Sequence, residues 1–344
     1  MILFPNCKIN IGLRVVRKRE DGYHDLQTIF YPVMGLHDEL EVLPLHNATQ
    51  PLHNSTQPLH NATQPLHNAT QPLHNATPPL HNATQPLHNA TQPLHNATQP
   101  LHNSTQFIQE GLAVDCPAED NLIIKCYRHM RAKYPQIGDV RIRFKKNIPF
   151  GAGLGGGSSD AAHMAIALNE LFALGLSKEQ LAAEVRVLGA DCPFFVYNTP
   201  CYAEGIGDIL TPIPLDLSGL RLIMIKPHCG VSTREAYAGI RLSDGSDLSN
   251  VSDLSALLSR AVNDFEQTVF PLHPEIGVIK QRLLDAGAVY AAMSGSGSTV
   301  FGLFTTPSTT LPNAAQHDAE RSADTHLRML HEEFASMIIF DDTL

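Results

Sequence analysis

PFGAGLGGGSSDAA, residues 149–162, carries the reading that decides this chain. Five glycines crowd between Gly151 and Gly157, two serines follow, and then comes a run with helical spacing. Glycine alone lets a backbone approach an anion closely and adopt positive φ at low cost. Bare N–H groups then converge on oxygen atoms, and a helix predicted to begin near Ser158 adds free amides and the positive end of its dipole. Ala161, Met164, Ala165, Leu168 and Leu171 recur at helical spacing, which predicts a helix over 159–174. A flexible linker would not run straight into an amphipathic helix. Pro149, Phe150, Gly151, Ala152, Gly153, Leu154, Gly155, Gly156, Gly157, Ser158 and Ser159 therefore read as a polyphosphate cradle. Ser158 or Ser159 is placed to reach Mg²⁺ through its hydroxyl, and either would look the same as a simple helix N-cap.

The stretch lacks the Gly-Lys-Ser/Thr ending of a P-loop. A Rossmann fingerprint would follow a hydrophobic parallel strand. Here the preceding VRIRFKKNIP (140–149) alternates, with Val140, Ile142 and Phe144 on one side and Arg141, Arg143 and Lys145 on the other. That is a half-exposed strand, more typical of an antiparallel sheet.

Taken with two distant segments, the glycine stretch resembles the phosphate-binding motif of the GHMP kinases. FPNCKINIGL (4–13) is similar to that family's N-terminal motif, and AMSGSGSTVFGLF (292–304) to its C-terminal glycine motif. DGYHDLQTIF (21–30), LGADCPFFV (188–196), AEGIGDILTPI (203–213) and NDFE (263–266) narrow the resemblance to the members that phosphorylate 4-diphosphocytidyl-2-C-methyl-D-erythritol. It runs over about 4–43 and 107–304. It implies an α+β fold of two domains, 1–212 and 213–344, with the active site in the cleft between them and ATP and Mg²⁺ as cofactors.

The resemblance also assigns side chains. Phosphoryl transfer needs a polyphosphate cradle, positive charge near the γ-phosphate, Mg²⁺ and a group that orients the attacking hydroxyl. Lys8 sits in an otherwise apolar strand pattern, where a lysine ordinarily faces solvent; the resemblance makes it the catalytic lysine. Asp191, before Cys192-Pro193, alone reads as a turn or cap residue; the matched context makes it the catalytic aspartate. Tyr23 and His24 fit a cytosine pocket, one by stacking and one by hydrogen bonding. Tyr237 in VSTREAY is a candidate for the opposite face, against core packing for both tyrosines. Asn10 is a candidate to hold substrate near Lys8, and Gly295 and Gly297 would let strand ends approach the phosphates. A homoserine- or mevalonate-type kinase, and an inactive relative serving as a scaffold, are the competing readings. The DGYH segment opposes the first, and retention of both Lys8 and Asp191 opposes the second.

Composition sets the surroundings. The 344 residues are 43% hydrophobic, enough for two domains with cores. A net charge of −10 makes a poor nucleic-acid binder. The partner is expected to be a small cytidine diphosphate, met by local positive charge such as Arg17, Lys18, Arg19, Lys145 or Lys146, unless these are a solvated basic face. Cysteines 7, 116, 126, 192, 201 and 229 form no CxxC pair and no metal framework. They read as reduced thiols, and with no signal peptide or membrane-length apolar run the expectation is a cytoplasmic protein without membrane contact. Composition is silent on oligomeric state.

Residues 44–106 are nine tandem heptads of PLHNATQ with small variations, holding nine of the 18 histidines. A proline per heptad forbids a continuous coiled coil. Histidines seven apart in a flexible chain preorganise no metal site, and the Asn-Ala/Ser-Thr sequons matter only in a secretory compartment. The remaining reading is a disordered or extended low-complexity insertion in a loop. Its flanks LEVLPL (40–45) and FIQEGL (107–112) read as two strands of one former hairpin.

Further elements follow from pattern. ILF, KINIGLRVV, DLQTIFYPV and ELEVLP read as strands, and 121–134 as a helix. Ser177 with Gln180 reads as a capping box opening a helix to about Leu188. Residues 201–213 read as strand, turn and strand, and 220–227 as a buried strand. Helices are expected near 233–240, 254–268, 274–286 and 314–334, with strands at AVYAAM, STVFGLF and IIF.

Overall fold

In the computed structural model, residues 1–45, 98–101, 105–114, 116–243, 248–249, 251–306 and 316–344 are described. Most of the heptad repeat, and with it the expectation of disorder, lies outside these residues. Thirteen strands make three sheets among them.

The first sheet holds β1 (Ile2–Leu3), β4 (Glu39–Pro44), β5 (Thr98–Leu101), β6 (Thr105–Gly111) and β7 (Val140–Lys146), in the order β1-β4-β7-β6-β5. The alternation in β7 is real: Val140, Ile142 and Phe144 are buried while Arg141, Arg143 and Lys145 are exposed. Its inner face meets α1 (Leu122–Lys133), α2 (Gly156–Leu171), α3 (Lys178–Arg186) and α4 (Cys192–Tyr197) through Ile123, Met130, Met164, Leu168, Val185 and Phe194. Each such side chain, fully buried, contributes about 1.5–3 kcal/mol. Caps fix where these helices begin. Asn121 accepts the Ile123 amide at 2.9 Å, and Ser177 and Gln180 form the expected capping box.

Two expectations about this sheet are corrected. β4 and β6 are not a hairpin: β7 lies between them, antiparallel to β4 and parallel to β6. β7 is the middle strand, and its apolar face is buried under the helices together with Leu40 and Val42 of β4 and Phe107 of β6. The repeat is also not all loop. Thr98–Leu101 pairs antiparallel with β6, and Thr105 is buried, bonded to the Tyr127 hydroxyl at 2.9 Å and to Asp139 at 3.3 Å.

The second sheet, β2-β3-β8-β9, joins β2 (Asn6–Lys18), β3 (His24–His37), β8 (Cys201–Glu204) and β9 (Ile209–Pro212). The third, β11-β12-β10-β13, joins β10 (Arg221–Ile225), β11 (Tyr290–Met293), β12 (Val300–Phe304) and β13 (Ile338–Thr343). The helices of this half are α5 (Thr233–Tyr237), α6 (Leu254–Arg260), α7 (Glu266–Leu272), α8 (Pro274–Asp285) and α9 (Gln316–Phe334). The single helix expected over 254–268 is thus two, broken at 261–265, where Asn263 and Asp264 turn their side chains to backbone groups of other segments. A hydrophobic cluster of Ile9, Ile11, Ile29, Leu222, Met224 and Phe301 crosses from the second sheet to the third. The described residues outside 46–95 form one compact unit. All six cysteines are unbridged, and no helix among the described residues is long and apolar enough to cross a membrane.

Candidate active site

Asn6 to Leu13 of β2 are all buried, so the strand is covered on both faces. Lys8 therefore does not face solvent as a lysine ordinarily would: it is 3% exposed. A buried ammonium needs partners, and Lys8 has several. Its Nζ donates to Asn10 Oδ1 at 2.6 Å and to the Gly153 carbonyl at 3.3 Å, lies 3.4 Å from Asp191 Oδ2, and sits 4.8 Å from the centre of the Phe30 ring.

Asp191 precedes α4 in the N-cap position, yet its side chain makes no capping bond. Asp191 is thus the turn residue its sequence suggested, but its side chain is not used as a cap. The carboxylate is a third exposed and directed to Lys8.

The glycine loop stands beside this pair. The Lys8 amide donates to the Leu154 carbonyl at 3.0 Å, which fastens the loop to β2. α2 starts at Gly156, earlier than the sequence suggested, with Gly155 as N-cap at φ +70°. A Cβ on Gly155 would lie 2.9 Å from the Phe195 ring and 3.2 Å from Lys8 Cε, so a side chain there would push against Lys8 rather than into open phosphate space. At Gly153 a Cβ would stand 2.0 Å from the Ser294 carbonyl oxygen. The 294–298 turn is the reason: Ser294 Oγ donates to the Gly153 carbonyl at 3.0 Å, and the Thr299 amide to Ala152 at 3.2 Å. Gly295 lies against this contact, while Gly297 packs beside Met293. Pro149 and exposed Phe150 and Gly151 form the loop's outer limb.

With Gly155 as N-cap, neither serine is one. Ser159 is buried and its hydroxyl is 3.3 Å from His163 Nδ1. Ser158 is half-buried in the first turn of α2, beside the Cys192 thiol. The geometry thus separates two serines that the sequence left equivalent: Ser159 is turned to His163, and Ser158 is the partly exposed one.

Asn10 is 2% exposed, with its amide donating to Thr28 Oγ1 at 3.0 Å. Both polar atoms of its side chain are engaged within the protein, the oxygen on Lys8.

The aromatic residues are also rearranged. Tyr23 is 61% exposed in the turn before β3. His24 and Tyr237 stack directly on each other, with centroids 4.5 Å apart, and Tyr237 meets Phe265 edge-on at 4.8 Å. Tyr237 thus gives one ring face to His24 and meets the Phe265 ring with its edge. Burial, then the Lys18 charge, holds the His24 imidazole below its ordinary value. Burial, helped by the Asp191 charge, pushes the Tyr237 hydroxyl up to about 12.

Four of the five proposed basic residues are spent on carboxylates, and Lys18 instead sets its charge near His24. Arg17 and Arg19 pair with Asp25, Arg19 also with Asp21, and Lys145 with Glu39. Lys146 is buried between Asp38 at 2.5 Å and Asp160 at 2.8 Å. Burial raises the Asp160 carboxyl well above its ordinary value despite Lys146.

Four positioning residues escaped the sequence reading. Asn263 donates to the Met293 and Gly295 carbonyls at 2.7 and 2.8 Å, and so holds the second glycine turn. Asp264 accepts the Val15 amide at 2.8 Å and pairs with Arg14. Glu266 accepts the Met293 amide at 2.9 Å. Thr28 links Asn10 to the Gly12 carbonyl. The signal was present in NDFE, three polar residues in four, but their partners lie far away in sequence.

Comparison with known proteins fits this geometry. Residues 121–199 match the GHMP kinases N terminal domain, and residues 238–321 the GHMP kinases C terminal domain. The chain is 39% identical over 312 residues to a curated protein of Azobacteroides pseudotrichonymphae, covering 89% of this chain and 94% of that one. The chain belongs to the GHMP kinase family. That relative is named 4-diphosphocytidyl-2-C-methyl-D-erythritol kinase, as is one from Bacteroides thetaiotaomicron, 41% identical over 91% of this GHMP kinase and 94% of its own length. A crystal structure of 4-(cytidine 5'-diphospho)-2C-methyl-D-erythritol kinase superposes with TM-score 0.67 at 28% identity, over 100% of this chain and 98% of that one. Homoserine kinase from Cytophaga hutchinsonii shares the fold, with TM-score 0.55 at 14% identity over 98% of this GHMP kinase and 94% of its own chain.

Proposed function

We propose that this GHMP kinase transfers the γ-phosphoryl group of ATP to the 2-hydroxyl of 4-diphosphocytidyl-2-C-methyl-D-erythritol, a step in making isoprenoid precursors. The observation that carries the proposal is the meeting of Lys8, Asp191 and the 149–159 loop at one place. A loose, metaphosphate-like transition state needs positioning and charge stabilisation more than a strong base. Asp191 holds the substrate hydroxyl and takes its proton. Lys8, fixed from behind by Asn10, stabilises charge on the transferred group. The amides of the glycine loop and the first turn of α2 cradle the ATP phosphates. Mg²⁺, when bound, neutralises phosphate charge, and Ser158 is the side chain placed to hold it. His24 reads the cytosine edge as a neutral imidazole, with one donor and one acceptor, and exposed Tyr23 stacks on the base.

We place the boundary between two domains at 212/213, in the segment between β9, which ends at Pro212, and β10, which begins at Arg221. We assign ATP to the first and see the protein as cytoplasmic, as its relatives' metabolic role suggests.

The test is ADP release by the purified chain with ATP and each of three alcohols. Turnover is expected with 4-diphosphocytidyl-2-C-methyl-D-erythritol and not with homoserine or mevalonate. Preference for either of the latter would overturn the assignment, and no turnover with any would favour the inactive-scaffold reading.

A further inference from the structure

The loop after β10 and the start of α8 bring together three side chains of different donor type. Cys229 Sγ, a ring nitrogen of His273 and a carboxylate oxygen of Glu275 all lie within 4.8 Å of one another. The orientation of His273 gives this cluster its meaning. Nε2 is 3.0 Å from Glu235 Oε1, and a carboxylate only accepts, so that nitrogen carries the imidazole proton. In the neutral imidazole Nδ1 carries the lone pair, 3.7 Å from Glu275 Oε1. The Cys229 thiol is hydrogen-bonded to Glu275, so a cation that replaces the thiol proton would be met by thiolate, imidazole and carboxylate together. An imidazole whose far nitrogen donates to a carboxylate is the usual arrangement of a metal-bound histidine.

We propose that Cys229, His273 and Glu275 bind a divalent cation of the zinc class, with Glu235 orienting His273 from outside. One thiolate, one imidazole and one carboxylate suit tetrahedral Zn²⁺, with the fourth position open to solvent. The harder Mg²⁺ favours oxygen donors, which separates this site from the phosphate cradle. Access is available: Glu275 is exposed, and a cleft of about 380 Å³ lined by Pro227, His228, Cys229, Glu275 and Val278 opens beside the cluster. Binding converts the Cys229 thiol to a thiolate and releases its proton to solvent.

The site borders the catalytic elements without belonging to them. The Cys229 carbonyl accepts Ser298 Oγ at 2.7 Å, and Ser298 ends the glycine turn. Glu235 lies on α5, two positions before Tyr237. The sequence concealed the cluster because Cys229 and His273 are 44 positions apart, with no CxxC or HxxxH spacing.

The test uses the full chain, with Co²⁺ as a spectroscopic probe and Zn²⁺ alone in calorimetry. Co²⁺ is expected to give a thiolate-to-metal charge-transfer band that Zn²⁺ displaces. Cys229→Ser should abolish the band and Cys116→Ser should leave it, while repeat histidines cannot produce it. Glu235→Gln should weaken Zn²⁺ binding by about 10–100-fold. Should Cys229→Ser fail to fold, His273→Gln decides: a large loss of affinity supports the site. The absence of a band in the parent chain, an identical band in Cys229→Ser, or unchanged affinity in His273→Gln overturns it.

Discussion

Lys8 Nζ meets the amide oxygen of Asn10 at 2.6 Å, closer than its 3.4 Å approach to Asp191. The ammonium is therefore anchored from within its own strand, and the anchor is itself held by Thr28. Asn10→Ala should release Lys8 and lower kcat by about 10²-fold, the scale of a misplacement near 1 Å. KM for both substrates should change little. Steady-state kinetics checks this; a raised KM for the cytidine substrate with kcat intact would return Asn10 to direct substrate binding.

The two serines that open α2 differ in placement, since Ser159 is turned to His163 and Ser158 is half-exposed. Ser158→Ala is expected to raise the Mg²⁺ concentration needed for half-maximal activity by about 10-fold, while Ser159→Ala is expected to leave it unchanged. Activity titrated against Mg²⁺ separates them. Equal behaviour of the two variants would remove Ser158 from the metal.

Lys146 holds two buried carboxylates, Asp38 and Asp160, directly behind the glycine loop. Lys146→Met should cost about 3–5 kcal/mol, because both carboxylates lose their buried counter-charge. Asp160 behaves in the opposite sense. Its carboxyl is raised above the ordinary 3.8, so the folded chain binds this proton more tightly than the unfolded chain. The stability it contributes is complete below that ordinary value and is lost as pH rises through the folded one. Asp160→Asn should flatten that decline and leave neutral-pH stability no lower than in the parent. Urea unfolding across pH checks both; a steeper decline in Asp160→Asn would contradict the argument.

The strands flanking the repeat stand on either side of β7, two strand spacings or about 10 Å apart. A two-residue Asn-Gly turn, whose ends lie within about 7 Å, cannot join them. Replacing 46–104 by Asn-Gly should disrupt the first sheet, whereas about seven flexible residues should keep kinase activity. Loop closure then recovers about 2 kcal/mol, less whatever pairing β5 gives β6. Activity and melting temperature of the two shortened chains provide the check. Full activity in the Asn-Gly chain would mean that the flanks can pair directly after all.

Much of this was legible in local pattern. The alternation of Val140, Ile142 and Phe144, the capping pair Ser177 and Gln180, and the glycine run each depend on residues near one another. The order β4-β7-β6 was not legible, because two strands separated by a repeat look like a hairpin until a third competes for their edges. Lys8 illustrates the same limit at the site. Its residue type suggests solvent, and only the covering of β2 on both faces shows that it is buried. Asn263, Asp264 and Glu266 were visible as polar residues, but their roles depend on Met293, Gly295 and Val15, which only the fold brings near.

The central claim is that Lys8 and Asp191 perform the transfer together, and the measurement that tests it most directly is kcat of Lys8→Ala and Asp191→Asn with ATP and 4-diphosphocytidyl-2-C-methyl-D-erythritol. Each variant should retain its circular dichroism and lose roughly 10²–10⁴-fold in kcat, as expected when charge stabilisation or proton handling is removed. Near-normal turnover by either folded variant would contradict the assignment of this pair as the catalytic centre.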